Sequence, residues 1–263
     1  MYDVNRKTYR AEIPFLINTP IYEYDIAKAN LNILYSKSII NEDQYSEIMK
    51  FGRGQREIYF GNLQKNKDVS EALSEGLTEY RAKFIKANNL TDIDILSVKN
   101  DAFFIIGNKV HTTIFNNIEF KLKNIYTSYF YINKLEFYYA LDLINDRELL
   151  DIKGISDEKL LRHKDHFILF LCSMFESIQN GTIDSCIDIL KDFYNKYINK
   201  QLPYGYYREF NSDSEFRLSF PNGMQWMASS LDENSFKYVN IGWNLKIIME
   251  IFAIVNILYN KNK

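Results

Sequence analysis

The feature that most constrains the fold is a change of hydrophobic spacing along the chain, from helical to strand-like and back to helical. Apolar residues recur at helical intervals before residue 89, most clearly over residues 70–88. Residues 93–106 and 110–140 instead read as strands, the first pair meeting at a turn at Lys99-Asn100. Helical spacing returns over residues 157–200. This order predicts an α+β fold, in which an antiparallel sheet is backed by helices and a mostly helical part follows.

The net charge excludes a nucleic-acid-binding protein that is basic over its whole surface. Net charge is −2, so any contact with DNA requires a local basic patch. Cys172 and Cys186 have no metal-ligand spacing around them and fit buried thiols in a reducing compartment. The N-terminus lacks an apolar signal core, and polar residues interrupt the apolar run at 245–259, which predicts a buried terminal helix. We therefore expect a cytoplasmic protein without a membrane segment.

The first candidate for chemistry is Asp25, where an extended segment ends and a helical pattern begins. Nucleotidyl transfer uses carboxylates on adjacent strand ends to hold two divalent ions about 3.5–4 Å apart. Asp25 is placed as one of those carboxylates would be. An Asp at this junction is also typical of a helix N-cap, so two interpretations stand.

The second candidate is Asp101, which opens a strand directly after the Lys99-Asn100 turn. A hairpin turn next to Asp25 would supply the other carboxylate. An ordinary β-turn with Asn-Asp chemistry is the alternative interpretation. Between the two candidates lies RGQREIYFGN, which starts at Arg53. It reads either as a basic helix that binds a triphosphate or as a helix with core aromatics.

In chain order, the segments at Asp25, Arg53 and Asp101 resemble motifs A, B and C of the family B DNA polymerase palm. In this resemblance Asp25 and Asp101 are the catalytic metal ligands, and Ile26 beside Asp25 joins the metal site. Arg53 falls at the cation that contacts the incoming triphosphate. Phe60 and Gly61 then fall at the residues that lie against the nascent base pair.

The resemblance extends over about residues 15–200 and assigns further roles. Asn30 falls where the family has a bulky Tyr beneath the incoming sugar, which predicts that ribonucleotides are accepted. Lys134 and Lys153 fall at positions that contact nucleic-acid phosphates. The resemblance also implies a palm-like domain with very short fingers over residues 1–155 and a helical, thumb-like region over residues 156–263.

The function implied is that of a minimal template-dependent DNA polymerase or primase-like nucleotidyltransferase. It would use Mg²⁺ or Mn²⁺, nucleoside triphosphates and a primer–template, with other replication proteins as further partners. Two departures support an alternative. The fingers are short, and Lys99 replaces the first Asp of motif C. The alternative is a catalytically inactive palm that serves as a nucleic-acid-binding or assembly subunit of a phage replication or defence-related complex. The abundance of Asn, Ile, Lys and Tyr is typical of phages and low-GC bacteria.

Overall fold

The computed structural model describes residues 2–142, 147–210 and 215–261, and these form an α+β fold. The strands are β1 (Thr8–Arg10), β2 (Phe15–Leu16), β3 (Ile21–Ile26), β4 (Ile95–Lys99), β5 (Ala102–Ile106), β6 (Ile114–Phe115), β7 (Ile118–Tyr126), β8 (Ser128–Ile132), β9 (Leu135–Asp142), β10 (Arg147–Lys153), β11 (Phe216–Ser219) and β12 (Gln225–Ala228). The helices are α1 (Ala29–Ser36), α2 (Glu42–Met49), α3 (Arg53–Leu63), α4 (Lys67–Ala87), α5 (Asp157–Leu161), α6 (Leu169–Gln179), α7 (Ile183–Ile198), α8 (Glu233–Phe236) and α9 (Gly242–Lys261). The predicted antiparallel sheets, backing helices and helical C-terminal part are confirmed.

The chain divides into two compact units. The first holds the chain up to Ile13 together with Thr19–Tyr126, and the second holds Pro14–Asn18 together with the chain from Thr127 onward. The boundary that the sequence predicted, at residue 155, lies inside the second unit. The hairpins β8–β9 and β9–β10 therefore belong to the same unit as the C-terminal helices.

The first unit is built on a six-stranded antiparallel sheet with the strand order β1-β4-β5-β3-β7-β6. The strand β3 lies inside this sheet, between β5 and β7. Helices α1 to α4 pack on one face through a buried cluster, in which Phe84 of α4 stacks on Phe120 of β7 at 4.3 Å between ring centroids. The apolar stripe predicted on residues 70–88 is the face that α4 buries, because a stripe with helical spacing can bury only one side of a helix.

The second unit combines the four-stranded sheet β10-β9-β8-β2 with helices α5 to α9 and the small hairpin β11–β12. Phe130 of β8 stacks on Phe175 of α6 at 4.3 Å between ring centroids. Both cysteines are buried free thiols, as predicted. Burial raises the pKa of Cys186 to about 11, so this thiol stays protonated at neutral pH.

The helix α9 is the one segment of the described chain that is long and apolar enough to cross a membrane, judged by length and composition alone. Its most apolar window has a mean hydropathy of 1.3, and 33% of that window is buried within the protein. Ile247, Ile251 and Ile254 lie on one side of α9 and are buried in the core of the second unit. A terminal helix with a buried apolar side is what the sequence predicted.

Candidate active site

Asp25 lies near the C-terminal end of the interior strand β3, close to the β4–β5 turn. Asp25 lies opposite Ala102 of β5 and Lys121 of β7. The backbone N–H of Ile26 donates to the carbonyl of Asp101 at 3.3 Å. The carboxyl groups of Asp25 and Asp101 are close enough for the charge of Asp101 to affect the ionisation of Asp25. Two carboxyl groups that the sequence placed in separate motifs are therefore neighbours.

The helix-cap interpretation of Asp25 is wrong. The following helix, α1, begins at Ala29, and its N-cap residue is Lys28, which has a left-handed backbone with φ of 49°. Asp25 itself lies within β3, three residues before that cap. Its side chain is directed at a second carboxyl group instead of at the orphan N–H groups of a helix.

The surroundings of Asp25 oppose its ionisation. Burial raises its pKa to about 6, and the neighbouring charge of Asp101 acts in the same direction. Glu23 adds a smaller effect of the same sign, while Lys123 acts in the opposite direction. Lys123 also forms an ion pair with the buried Glu23 at 3.3 Å. A carboxyl pair with this arrangement favours either a shared proton or a bound cation.

The turn that carries Asp101 is fixed by residues outside the hairpin. Asn100 has a φ of 52°, and its N–H donates to the carbonyl of Lys7 at 2.7 Å. The carbonyl of Asn100 accepts a hydrogen bond from the guanidinium of Arg81. Arg81 is only 1% exposed and also donates to the carbonyls of Val4 and Arg6, at 3.3 and 3.2 Å. The turn is therefore fixed by two hydrogen bonds to Asn100, one with the Lys7 carbonyl and one with the Arg81 side chain.

A cleft with basic walls opens beside Asp101 and has a volume of about 280 Å³. The cations that line it are Lys28, Arg53 and Arg56. Asn30, Phe60 and Asp101 complete the part of the lining that sequence analysis had singled out. Three cations next to a carboxylate pair form a site suited to a polyanion such as a triphosphate.

The basic side chains in this cleft differ in how firmly they are held. Arg53 pairs with Glu57 at 2.9 Å, but both side chains are largely exposed, so this i,i+4 pair contributes little to stability. Arg56 donates to the carbonyl of Phe51 at 2.9 Å, which anchors its guanidinium to the start of the helix. Arg53 can therefore exchange Glu57 for an anionic ligand at low energetic cost.

Of the predicted site residues, five meet in the first unit: Asp25, Asp101, Asn30, Arg53 and Phe60. Ile26 adjoins them through its backbone, as described above. Gly61 follows Phe60 on α3, and a Cβ added there would meet open space.

Lys134 and Lys153 lie in the second unit, away from these residues along the chain. Lys134 occupies the β8–β9 turn with φ of 68°, and Lys153 pairs with Asp151 at 2.6 Å. A Cβ at Gly154 would lie 3.9 Å from the Lys134 carbonyl, so both lysines sit at one end of that sheet.

Sequence reasoning missed three residues of this site: Arg81, Lys28 and Arg56. Arg81 lies next to the apolar stripe of α4, and a buried arginine in such a stripe signals a specific hydrogen-bonding role. Lys28 lies two residues before Asn30, and Arg56 lies three residues after Arg53, so each is close in sequence to a residue that was predicted. Among the described residues there is no cluster of three or more His, Cys, Asp or Glu side chains that could hold a metal. The candidate site therefore contains two neighbouring carboxyl groups, those of Asp25 and Asp101.

Comparison with known sequences gives one family. The sequence model of the family described as Bacteriophage PBS1 gene 130 protein matches residues 2–258, which is nearly the whole chain. That description names a phage protein and no activity. No curated protein matches the chain.

Proposed function

This chain belongs to the bacteriophage PBS1 gene 130 protein family, and we propose that it is a minimal template-dependent nucleotidyltransferase of the polymerase or primase kind. The observation that supports this most is the closeness of the Asp25 and Asp101 carboxyl groups, with Asp101 lining a cleft that also holds Lys28, Arg53 and Arg56. In this proposal the protein acts in the cytoplasm on a primer–template, together with other replication proteins.

The carboxyl pair fits a divalent cation with oxygen ligands. Asp25 and Asp101 would hold Mg²⁺ or Mn²⁺ together with the adjoining backbone of Ile26, because hard cations prefer oxygen donors. Such ions supply activation of the primer hydroxyl and neutralisation of charge on the reacting phosphate. The raised pKa of Asp25 agrees with this assignment, since two adjacent carboxylates repel each other until a positive charge joins them.

The remaining residues of the cleft act by binding and orientation. Arg53, Arg56 and Lys28 bind the triphosphate of the incoming nucleotide through charge-assisted hydrogen bonds. Phe60 adds an apolar surface to the wall of the basic cleft. In the second unit, Lys134 and Lys153 contact nucleic-acid phosphates in this proposal, which for these two residues rests on the polymerase resemblance alone.

A second candidate function is that of an inactive palm which binds nucleic acid or assembles with replication or defence proteins. The observation that favours it is that the described residues contain no group of three or more His, Cys, Asp or Glu side chains placed to hold a metal ion. An inactive palm retains the clefts and the nucleic-acid contacts without catalysing transfer.

Incorporation of labelled nucleotides on a primed template separates the two functions. We expect incorporation that requires Mg²⁺ or Mn²⁺ and is abolished in Asp25→Asn and in Asp101→Asn. The exposed Asp43→Asn on α2 is the matched control and keeps the wild-type rate. A folded wild-type protein that binds primer–template but incorporates nothing would favour the inactive palm. Wild-type rates in either site variant would exclude the metal assignment.

A further inference from the structure

A second cleft adjoins the first at Asp101 and is chemically unlike it. It has a volume of about 330 Å³ and shares Ala29, Asn30 and Asp101 with the basic cleft. Most of its polar groups are hydroxyls and amides, and the one cation among its lining residues is Lys7. The uncharged polar groups are those of Ser70, Ser74, Gln64, Asn100 and Asn30.

One face of α4 forms the wall of this second cleft. Ser70, Leu73, Ser74 and Leu77 follow each other at intervals of three and four residues, so they lie along one side of the helix. Leu73 is buried in the core, whereas Ser70 and Ser74 are exposed. The wall therefore combines an apolar surface with hydroxyl groups that can both donate and accept hydrogen bonds.

The turn that carries Asp101 forms another part of the second cleft's lining, through Asn100 and Asp101. The Asn100 backbone is held by Lys7 and Arg81, as described above, which keeps this part of the lining in place without a ligand. A preformed cleft of this size falls at the lower end of the range for small-molecule sites, about 300–1,000 Å³.

We infer that the second cleft binds the uncharged half of the incoming nucleotide, its sugar and base, while the basic cleft holds the triphosphate. A ligand that spans both clefts must be anionic at one end, must carry uncharged polar groups at the other, and must pass Asp101 between them. A nucleoside triphosphate has this distribution of groups. The inference rests on the proposed function and assigns Ser70, Ser74 and Gln64 to nucleoside recognition.

The two halves of the ligand can be tested separately by calorimetry in Mg²⁺. The probes are a deoxynucleoside triphosphate and inorganic tripolyphosphate, titrated into the full chain. We expect the nucleotide to bind at least about tenfold more tightly than tripolyphosphate, because the second cleft adds contacts that tripolyphosphate cannot make. Ser74→Leu and, independently, Ser70→Leu should remove most of this difference by obstructing the cleft, and should leave tripolyphosphate affinity unchanged.

The matched control is Ser46→Leu, the same change at an exposed position of α2 outside both clefts. It should keep the wild-type preference for the nucleotide. If both cleft variants bind the nucleotide as tightly as wild type, the nucleoside does not occupy the second cleft, and the proposed function is unaffected. If the wild-type chain binds neither probe, both the inference and the proposed function are overturned. Loss of primer–template affinity in the cleft variants with unchanged nucleotide affinity would also overturn the inference.

Discussion

At the scale of single residues, the fold places the Asp25 carboxyl group where burial and a second carboxyl group both oppose its charge. An acid whose pKa is raised in the folded state binds a proton more tightly when folded than when unfolded. Its ionised form therefore destabilises the fold above the folded pKa of about 6, and this cost disappears as the pH falls toward the unfolded value of 3.8. Destabilising groups of this kind are concentrated at functional sites.

Asp25→Asn should therefore stabilise the protein at pH 7.5. The full shift corresponds to about 3 kcal/mol, and partial exposure to solvent reduces the expected gain to about 1–2 kcal/mol. Near pH 4 the gain should be largely lost, because Asp25 is then protonated in the folded wild type. Urea unfolding of both proteins at the two pH values measures the difference. Asp43→Asn, exposed in the first turn of α2, should lower stability at pH 7.5 by less than about 1 kcal/mol, the opposite sign to Asp25→Asn. A destabilised Asp25→Asn at pH 7.5 would contradict the account.

At the scale of elements, the long helix α4 positions the hairpin that carries Asp101. The single guanidinium of Arg81 supplies donors to three backbone carbonyls, those of Val4, Arg6 and Asn100. The N-terminal segment and the β4–β5 turn are thus held by one side chain. These bonds are only partly buried, so losing a donor costs up to about 1–3 kcal/mol for each carbonyl that water does not reach.

Arg81→Met should destabilise the first unit by about 2–4 kcal/mol, because it removes the guanidinium donors to all three carbonyls, and only that of Arg6 keeps a second donor, the Tyr2 hydroxyl. Arg81→Lys should be intermediate, since one ammonium cannot reach all three acceptors. Lys86→Met, an exposed position on the same helix, is the control and should stay within about 0.5 kcal/mol of wild type. Unfolding in urea gives the free energies. An Arg81→Met protein as stable as wild type would show that the turn is held by other contacts.

The elements themselves were largely predictable, but the role of Arg81 was not. The hydrophobic period of α4 and the apolar runs on both sides of Asn100 are local signals, and local signals determine helices and hairpins. The partners of Arg81 lie 77, 75 and 19 residues away along the chain. Long-range hydrogen bonds of this kind leave no periodic pattern in the sequence.

At the scale of the whole molecule, the antiparallel α+β architecture followed from the order of elements, whereas the division into units did not. Residues 14–18 belong to the second unit because β2 pairs with β8, with Phe15 opposite Phe130. The strand β2 has only two residues, which is too few for a hydrophobic pattern that would predict its pairing with the distant strand β8. The meeting of Asp25 and Asp101 was predictable only through the resemblance to polymerase motifs, since each Asp alone had an ordinary structural interpretation.

The central claim is that Asp25 and Asp101 form one site for divalent cations, and titration with Mn²⁺ followed by electron paramagnetic resonance tests it most directly. The account predicts saturable Mn²⁺ binding to the wild-type chain, competed by Mg²⁺. Asp25→Asn and Asp101→Asn should each lose most of that binding, and the double variant should be little worse than either, because both residues serve one site. Asp43→Asn should bind as wild type. Mn²⁺ binding that is unchanged in the folded Asp25→Asn and Asp101→Asn proteins would contradict the claim.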